Sequence, residues 1–169
     1  MNDTSPVLNL DQVQLRGLDA ADGGRSPDVP PGYDVRWGEI ASRIGARKLG
    51  YNLTVVAPGM RNCPFHSHRA EEEMFLVLEG TGELRYGEAR YPLRAGDVIA
   101  CPTGGPESAH QIINTGNSEL RYLAVSTRSE AEVCEYPDSG KIGAYAGHGP
   151  ARLRHLTRAR DARDYWENE

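Results

Sequence analysis

From Lys48 to Pro137 the chain is written in short alternating runs separated by turn residues, and no helical period interrupts them. LGYNLTVVAPG sets Leu49, Tyr51, Leu53 and Val55 against Asn52 and Thr54, the alternation of a half-buried strand, and stops at Pro58-Gly59. EMFLVLEG follows, then TGELRYG, which Gly87-Glu88 joins to ARYPL as a hairpin. Arg94 to Asp97 reads as a turn before DVIACP, and HQIINTG, LRYLAVST and AEVCEYP complete the series. Short strands with Gly, Pro and Asn between them, and no helices to make parallel crossovers, predict an all-β antiparallel sandwich or barrel.

Inside this series lies GMRNCPFHSHRAEEEMFLVLEG, Gly59 to Gly80. Alternate side chains of an extended segment share a face, so His66 and His68 point the same way. A strand opening at Glu73 places Glu73, Phe75 and Val77 on one face and Met74, Leu76 and Leu78 on the other. His110 follows in a second apolar stretch. Each histidine alone reads as a packed, hydrogen-bonded core residue. Three imidazoles and a carboxylate inside one small barrel are different, because buried polar groups need partners and a metal supplies them together. The expected ligands are His66, His68, Glu73 and His110. Without an assigned thiolate, the set suits one divalent transition metal: Zn, Fe, Mn, Ni, Co or Cu. Four protein ligands in an octahedral shell would leave two positions open, the mark of a chemical rather than a closed structural site.

These residues resemble the two sequence motifs of the cupins. His66, His68, Glu73 and Gly80 match the first; Gly96, Pro102, Gly104, His110 and Asn114 match the second. Two departures fall in loops. The leading glycine of the first motif, Gly59, stands one residue early, and the residues from Gly105 to Ala109 lengthen the gap before His110. The run from Ala95 to Gly147 and the closing DYWENE are similar to a subgroup of small single-domain bacterial cupins, some labelled sugar-phosphate isomerase-like. The resemblance implies a double-stranded β-helix, the jelly-roll barrel, with the metal ligands on inward faces near one mouth. It also implies a homodimer, and the apolar patch Val7 to Leu15 is the candidate arm for exchange across its axis.

Around that barrel, residues 1–47 read as an N-terminal arm and packed turn, 48–147 as the barrel, and 148–169 as a short helical or irregular tail. Within the arm, VLNLDQVQL alternates weakly, and Trp37, Ile40 and Ile44 have spacings of a short helix or an irregular turn. In the tail, the spacing of Arg152, Arg154, Arg158, Arg160 and Arg163 suits the solvated face of a short helix, or a contact for an anion. The apolar residues Leu153, Leu156, Tyr165 and Trp166 imply that it docks. Cys63, Cys101 and Cys134 are odd in number and match no zinc spacing, so no disulfide framework is expected.

The net charge of −5 argues against nucleic acid as a partner, and no pair of helical patterns forms a helix-turn-helix. The first thirty residues lack the basic and apolar regions of a secretory signal, and no apolar run is long enough to span a bilayer. A cytoplasmic protein acting on a small molecule is the expectation. Tyr51, Tyr122 and Glu107 are candidates for acid, base or substrate contacts; the two tyrosines read more readily as core residues with satisfied hydroxyls. Three functions stay open. One is Lewis-acid chemistry on a sugar or organic acid, of isomerase or lyase type. The others are an Fe- or Mn-dependent dioxygenase and a binding or sensing module without turnover.

Overall fold

The structure, a computed structural model, describes residues 5–18, 29–147 and 152–168. Thirteen strands follow one another among the described residues: β1 Arg16–Gly17, β2 Val35–Glu39, β3 Leu49–Val56, β4 Ser67–His68, β5 Glu73–Glu79, β6 Thr81–Tyr86 and β7 Ala89–Arg94. After these come β8 Val98–Cys101, β9 His110–Ile113, β10 Leu120–Thr127, β11 Ala131–Tyr136, β12 Lys141–Ala146 and β13 Leu153–Arg158. They form three sheets, ordered β1-β2-β3-β10-β5-β8, β13-β12-β11-β4 and β7-β6-β9. Every strand pairing is antiparallel. This is the all-β double-stranded β-helix implied by the sequence. The hairpin at Gly87-Glu88 is present, with Tyr86 opposite Ala89.

The interior of the barrel holds Val35, Val56, Phe75, Val77, Ile112 and Tyr122 within one buried cluster. A second cluster, of Val13, Ile40 and Leu53, lies on the other face of the six-stranded sheet, with Tyr51, Leu78 and Leu123 packed against it. The sheet is therefore covered twice, by barrel contents on one side and by the N-terminal arm on the other. On β3 this inverts the polarity read from the sequence. Asn52 and Thr54 face inward, while Leu53 and Tyr51 pack under the arm. A strand buried on both faces loses the link between apolar and inward that alternation normally supplies.

The arm folds onto its own chain. Leu10–Gln12 form one 3-10 turn, Arg16 and Gly17 pair with Trp37 and Arg36, and Val13 is buried. The segment from Val35 to Arg47 opens as strand β2 and continues as turns around a 3-10 turn at Ser42–Ile44. The tail also differs. The arginine-rich segment is strand β13, paired along β12 from Lys141–Arg158 to Ala146–Leu153, and only Ala159–Asp161 make a helical turn. It docks through backbone hydrogen bonds, leaving Leu153, Tyr165 and Trp166 exposed. No helix among the described residues is long and apolar enough to cross a membrane.

Asn114 anchors the barrel end next to β9. It is fully buried, donates to the carbonyls of Val56 and Ser118 at 2.8 Å each, and accepts from Gly116 N at 2.9 Å. One side chain thus satisfies two carbonyls and an amide, and ties the end of β3 to the loop before β10.

Candidate metal centre

The two histidine-bearing segments meet as backbone before they meet as side chains. His66 and His110 form an antiparallel bridge, with His110 N donating to His66 O at 2.7 Å and His66 N to His110 O at 3.2 Å. The ring of His66 lies 4.8 Å from those of both His68 and His110, centroid to centroid. Glu73 opens β5 on the same inward face as buried Phe75 and Val77. Its Oε2 lies 2.9 Å from His110 Nε2 and 3.3 Å from His68 Nε2. One ligand atom from each of His66, His68, Glu73 and His110 falls within 4.8 Å of all the others. The four residues could hold a metal ion.

Each imidazole is held from behind. His66 Nδ1 is 2.9 Å from Pro64 O, His110 Nδ1 is 3.4 Å from Ser108 O, and His68 Nδ1 is 3.4 Å from the Cys134 thiol. Pinning Nδ1 in this way turns Nε2 toward the centre, as in metal-bound histidines. The donor set passes a stricter test as well. His68 Nε2 is buried and meets only the Glu73 carboxylate, at 3.3 Å and outside good hydrogen-bond geometry, which leaves it under-satisfied unless something else joins it. A cation at the focus of the four groups would do so.

The electrostatics fit the same reading. Burial, followed by the charges of His110 and His68, pushes His66 down to about 4, so it is neutral and ready to ligate. Burial also opposes protonation of His68, but its contacts with Cys134 and Glu73 outweigh this and raise it to about 10. Burial opposes ionisation of Glu73 too, yet hydrogen bonds from His110 and His68 hold its carboxyl well below the usual range. Without metal, therefore, an imidazolium at His68 neutralises Glu73. That pairing stabilises the fold fully below the ordinary histidine value and is lost as pH rises through about 10.

A divalent ion needs the neutral imidazole, so its binding displaces this proton. Calorimetry in buffers of different protonation enthalpy is expected to show His68 releasing about one proton per ion at about pH 8. Release should vanish above the raised value. Proton release that stays constant across that interval would refute the His68–Glu73 pairing.

The other candidates are dispersed. Tyr122 is buried in the barrel beside the centre, on a cavity wall shared with His66 and Glu73. Burial raises its hydroxyl far above the ordinary range, and Asn62 and Thr54 hydrogen-bond to it. Tyr51 lies on the opposite face of β3, outside that cavity, and lines a separate polar cleft with Arg128 and Arg152. Glu107 is solvent-facing on the 3-10 turn Pro106–Ser108 and accepts from Gly105 N at 2.7 Å, a turn-stabilising role. Cys63 sits 3.7 Å from His66 Nδ1 with its thiol pushed up by burial, and the three cysteines are free.

Sequence reading missed Glu132. This buried carboxylate, on β11 two residues before Cys134, accepts from the backbone N–H groups of Arg69, Ala70 and Glu71 at 2.9, 3.2 and 2.5 Å. Those residues lie in the loop between ligands His68 and Glu73. Its Oε1 is 3.9 Å from His68 Nδ1. The signal was there in AEVCEY, where Glu132 shares parity with Cys134, but a glutamate alternating in a strand ordinarily marks the solvent face.

Comparison with known proteins converges on the same barrel. The family described as Cupin domain matches residues 52–126, the span that contains all four candidate ligands. Auxin-binding protein 1 of Arabidopsis thaliana is 30% identical over 119 residues, 65% of this chain and 55% of that protein. The oxalate-binding protein of Thermotoga maritima is 43% identical over 60 residues, 36% of this chain and 47% of that protein. The chain spans about half the length of the curated relatives it matches. A sugar phosphate isomerase of the cupin superfamily from Silicibacter pomeroyi superposes with a TM-score of 0.75 at 26% identity, over 93% of this chain and 95% of that one. The matched span covers the strands that carry both histidine segments, and the superposition extends over nearly the whole chain, so the protein is similar to the cupins across its barrel and shares the fold of a small single-barrel cupin.

Proposed function

We propose that His66, His68, Glu73 and His110 bind one divalent transition metal and that the protein acts on a small molecule held in the adjoining cavity. The observation that carries this reading is the convergence of one donor atom from each of the four residues to within 4.8 Å of all the others. When bound, the ion would supply Lewis acidity toward a carboxylate, carbonyl or enediolate oxygen. The chain's own contribution is to orient the imidazoles and to wall the centre with Phe75, Trp37 and Tyr122, which limits access of water. Isomerase or lyase chemistry on an organic acid or sugar derivative is the reading supported by likeness to the Silicibacter protein. A dioxygenase would instead require iron or manganese and would consume oxygen.

A second reading, binding without turnover, is favoured by a specific observation. Apart from the proposed ligands, the titratable groups lining the cavity among the described residues are Cys63 and Tyr122, and burial pushes both upward, away from neutral-pH proton transfer. The names of the Arabidopsis and Thermotoga relatives describe binding of small acids. We further propose a homodimer, in line with the family resemblance, and a cytoplasmic setting.

Elemental analysis of the purified protein tests the metal reading. About one equivalent of Zn, Fe, Mn, Ni, Co or Cu is expected. A His66→Ala/His110→Ala variant that remains folded should retain none. Absence of metal from both proteins after reconstitution would overturn the proposal.

A further inference from the structure

Resting on the metal-centre reading, we propose that the ligand is a ring-sized, largely apolar monocarboxylate of the aromatic-acid class, and not a phosphorylated sugar. A cavity of about 250 Å³ opens onto His66 and Glu73, and among the described residues no lysine or arginine lines it. A phosphate dianion placed there would have only the metal to neutralise it, and burying uncompensated charge is expensive. Phosphate sites ordinarily recruit guanidinium groups, lysines or clusters of backbone N–H for this purpose. A monocarboxylate is matched by the metal alone.

The walls select against a polyhydroxylated body as well. Trp37, Phe75 and Tyr122 provide aromatic surface, and Val35, Leu18 and Ala124 provide aliphatic surface. Several of the polar atoms present are already engaged. Thr54 Oγ1 donates to Asn52 Oδ1 at 2.6 Å, Asn62 Oδ1 accepts from Ile112 N at 3.3 Å, and the Tyr122 hydroxyl is engaged by Asn62 and Thr54. Few groups remain to read sugar hydroxyls, which would lose water without replacement. An apolar cavity of roughly 150 Å³ is enough to hold benzene, so the volume here suits one ring with a short acidic side chain.

The space outside is of similar character. A second cavity, of about 430 Å³, shares Leu18, Asn62 and Cys63 with the first and is lined by Pro30, Tyr33, Phe65 and Tyr136. Its one lysine, Lys141, lies 5.5 Å from the centroid of the Tyr136 ring, outside the cavity that meets the metal ligands. Larger ligands would therefore extend through apolar surface, with their acidic end inward.

Trp37 reports on this directly. The chain has two tryptophans, and replacing the exposed one (Trp166→Phe) leaves Trp37 on the cavity wall as the sole indole. The protein, loaded with one equivalent of Zn, is titrated with phenylacetate and with glucose 6-phosphate while its fluorescence is followed and its zinc content measured. Phenylacetate is expected to produce saturable quenching and to bind at least about tenfold more tightly than the sugar phosphate. An Ala124→Leu variant that keeps its zinc should lose the response, because the added side chain fills the cavity. Glucose 6-phosphate binding as tightly as phenylacetate, or phenylacetate failing to bind zinc-loaded protein, would overturn the inference. These outcomes are read on the Trp166→Phe protein and do not depend on the folding of Ala124→Leu. Failure to take up zinc is a separate result, and it would count against the metal centre itself.

Discussion

Replacing Glu132 with leucine is expected to lower the unfolding free energy by about 3–5 kcal/mol and to weaken metal binding by about 10- to 100-fold. The carboxylate sits beneath the loop that separates His68 from Glu73 and collects three consecutive backbone N–H groups of that loop. Leucine would fill similar volume but would take the acceptor from Ala70 N and Glu71 N, while Arg69 N would keep its bond to Val133 O at 2.9 Å. A donor stranded in this way costs its full desolvation penalty, well above the net value of a single hydrogen bond. The loop must then move, and its two ends are the proposed ligands His68 and Glu73. Glu132 is thus a positioning residue: it sets the separation of His68 and Glu73 without occupying the centre. Glu132→Gln keeps one acceptor oxygen and should fall between the two, since its amide N–H₂ group faces other donors. Urea unfolding measures the first effect, and competition with a chromophoric chelator under native conditions measures the second. A purely structural role would lower stability while leaving the affinity of the folded protein unchanged, and that result would refute the positioning.

Much of this site was legible because its chemistry is local. The parity of His66 and His68, and of Glu73 with Phe75 and Val77, is fixed by extended backbone alone, and the structure keeps both relations: Phe75 and Val77 are buried and Met74 is partly exposed. The strands from β5 to β11 emerge where alternation and turn residues place them, since each is bounded by Gly, Pro, Asn or Asp. What escaped sequence reading depends on pairing between distant segments. Tyr51 reads as barrel-lining only if apolar means inward, and the arm residues Leu10 and Val13 reverse that rule by covering the outer face of β3. Strand β13 reads as a helix because arginines at spacings of two and four suit either structure; its state is decided by the free edge of β12. Glu132 escaped for a similar reason. Its acceptors are useful only because residues 69–71 arrive from more than sixty positions away.

Gly80→Ala should be the most damaging single methyl addition near the site, costing about 3–5 kcal/mol, a large share of the stability of an ordinary domain. Gly80 joins β5 to β6 with φ of +86°, and a Cβ there would lie 2.4 Å from Glu119 O and 3.0 Å from Leu120 Cα. Two costs combine. The left-handed conformation alone costs an alanine about 1–2 kcal/mol. The clash adds to it, because the opposing atoms are backbone and cannot rotate away as a side chain would. Relief requires displacement of the Glu119–Leu120 segment, which begins β10, the strand that carries Tyr122 and Ala124 on the cavity wall. Gly96 supplies the control. Its φ is +92°, but a Cβ there would meet nothing within 4 Å, so Gly96→Ala should show the conformational cost alone. Chemical unfolding of the two variants side by side separates the terms. Equal losses would mean that β10 yields freely, and the close approach at Gly80 would then play no part in holding the cavity wall.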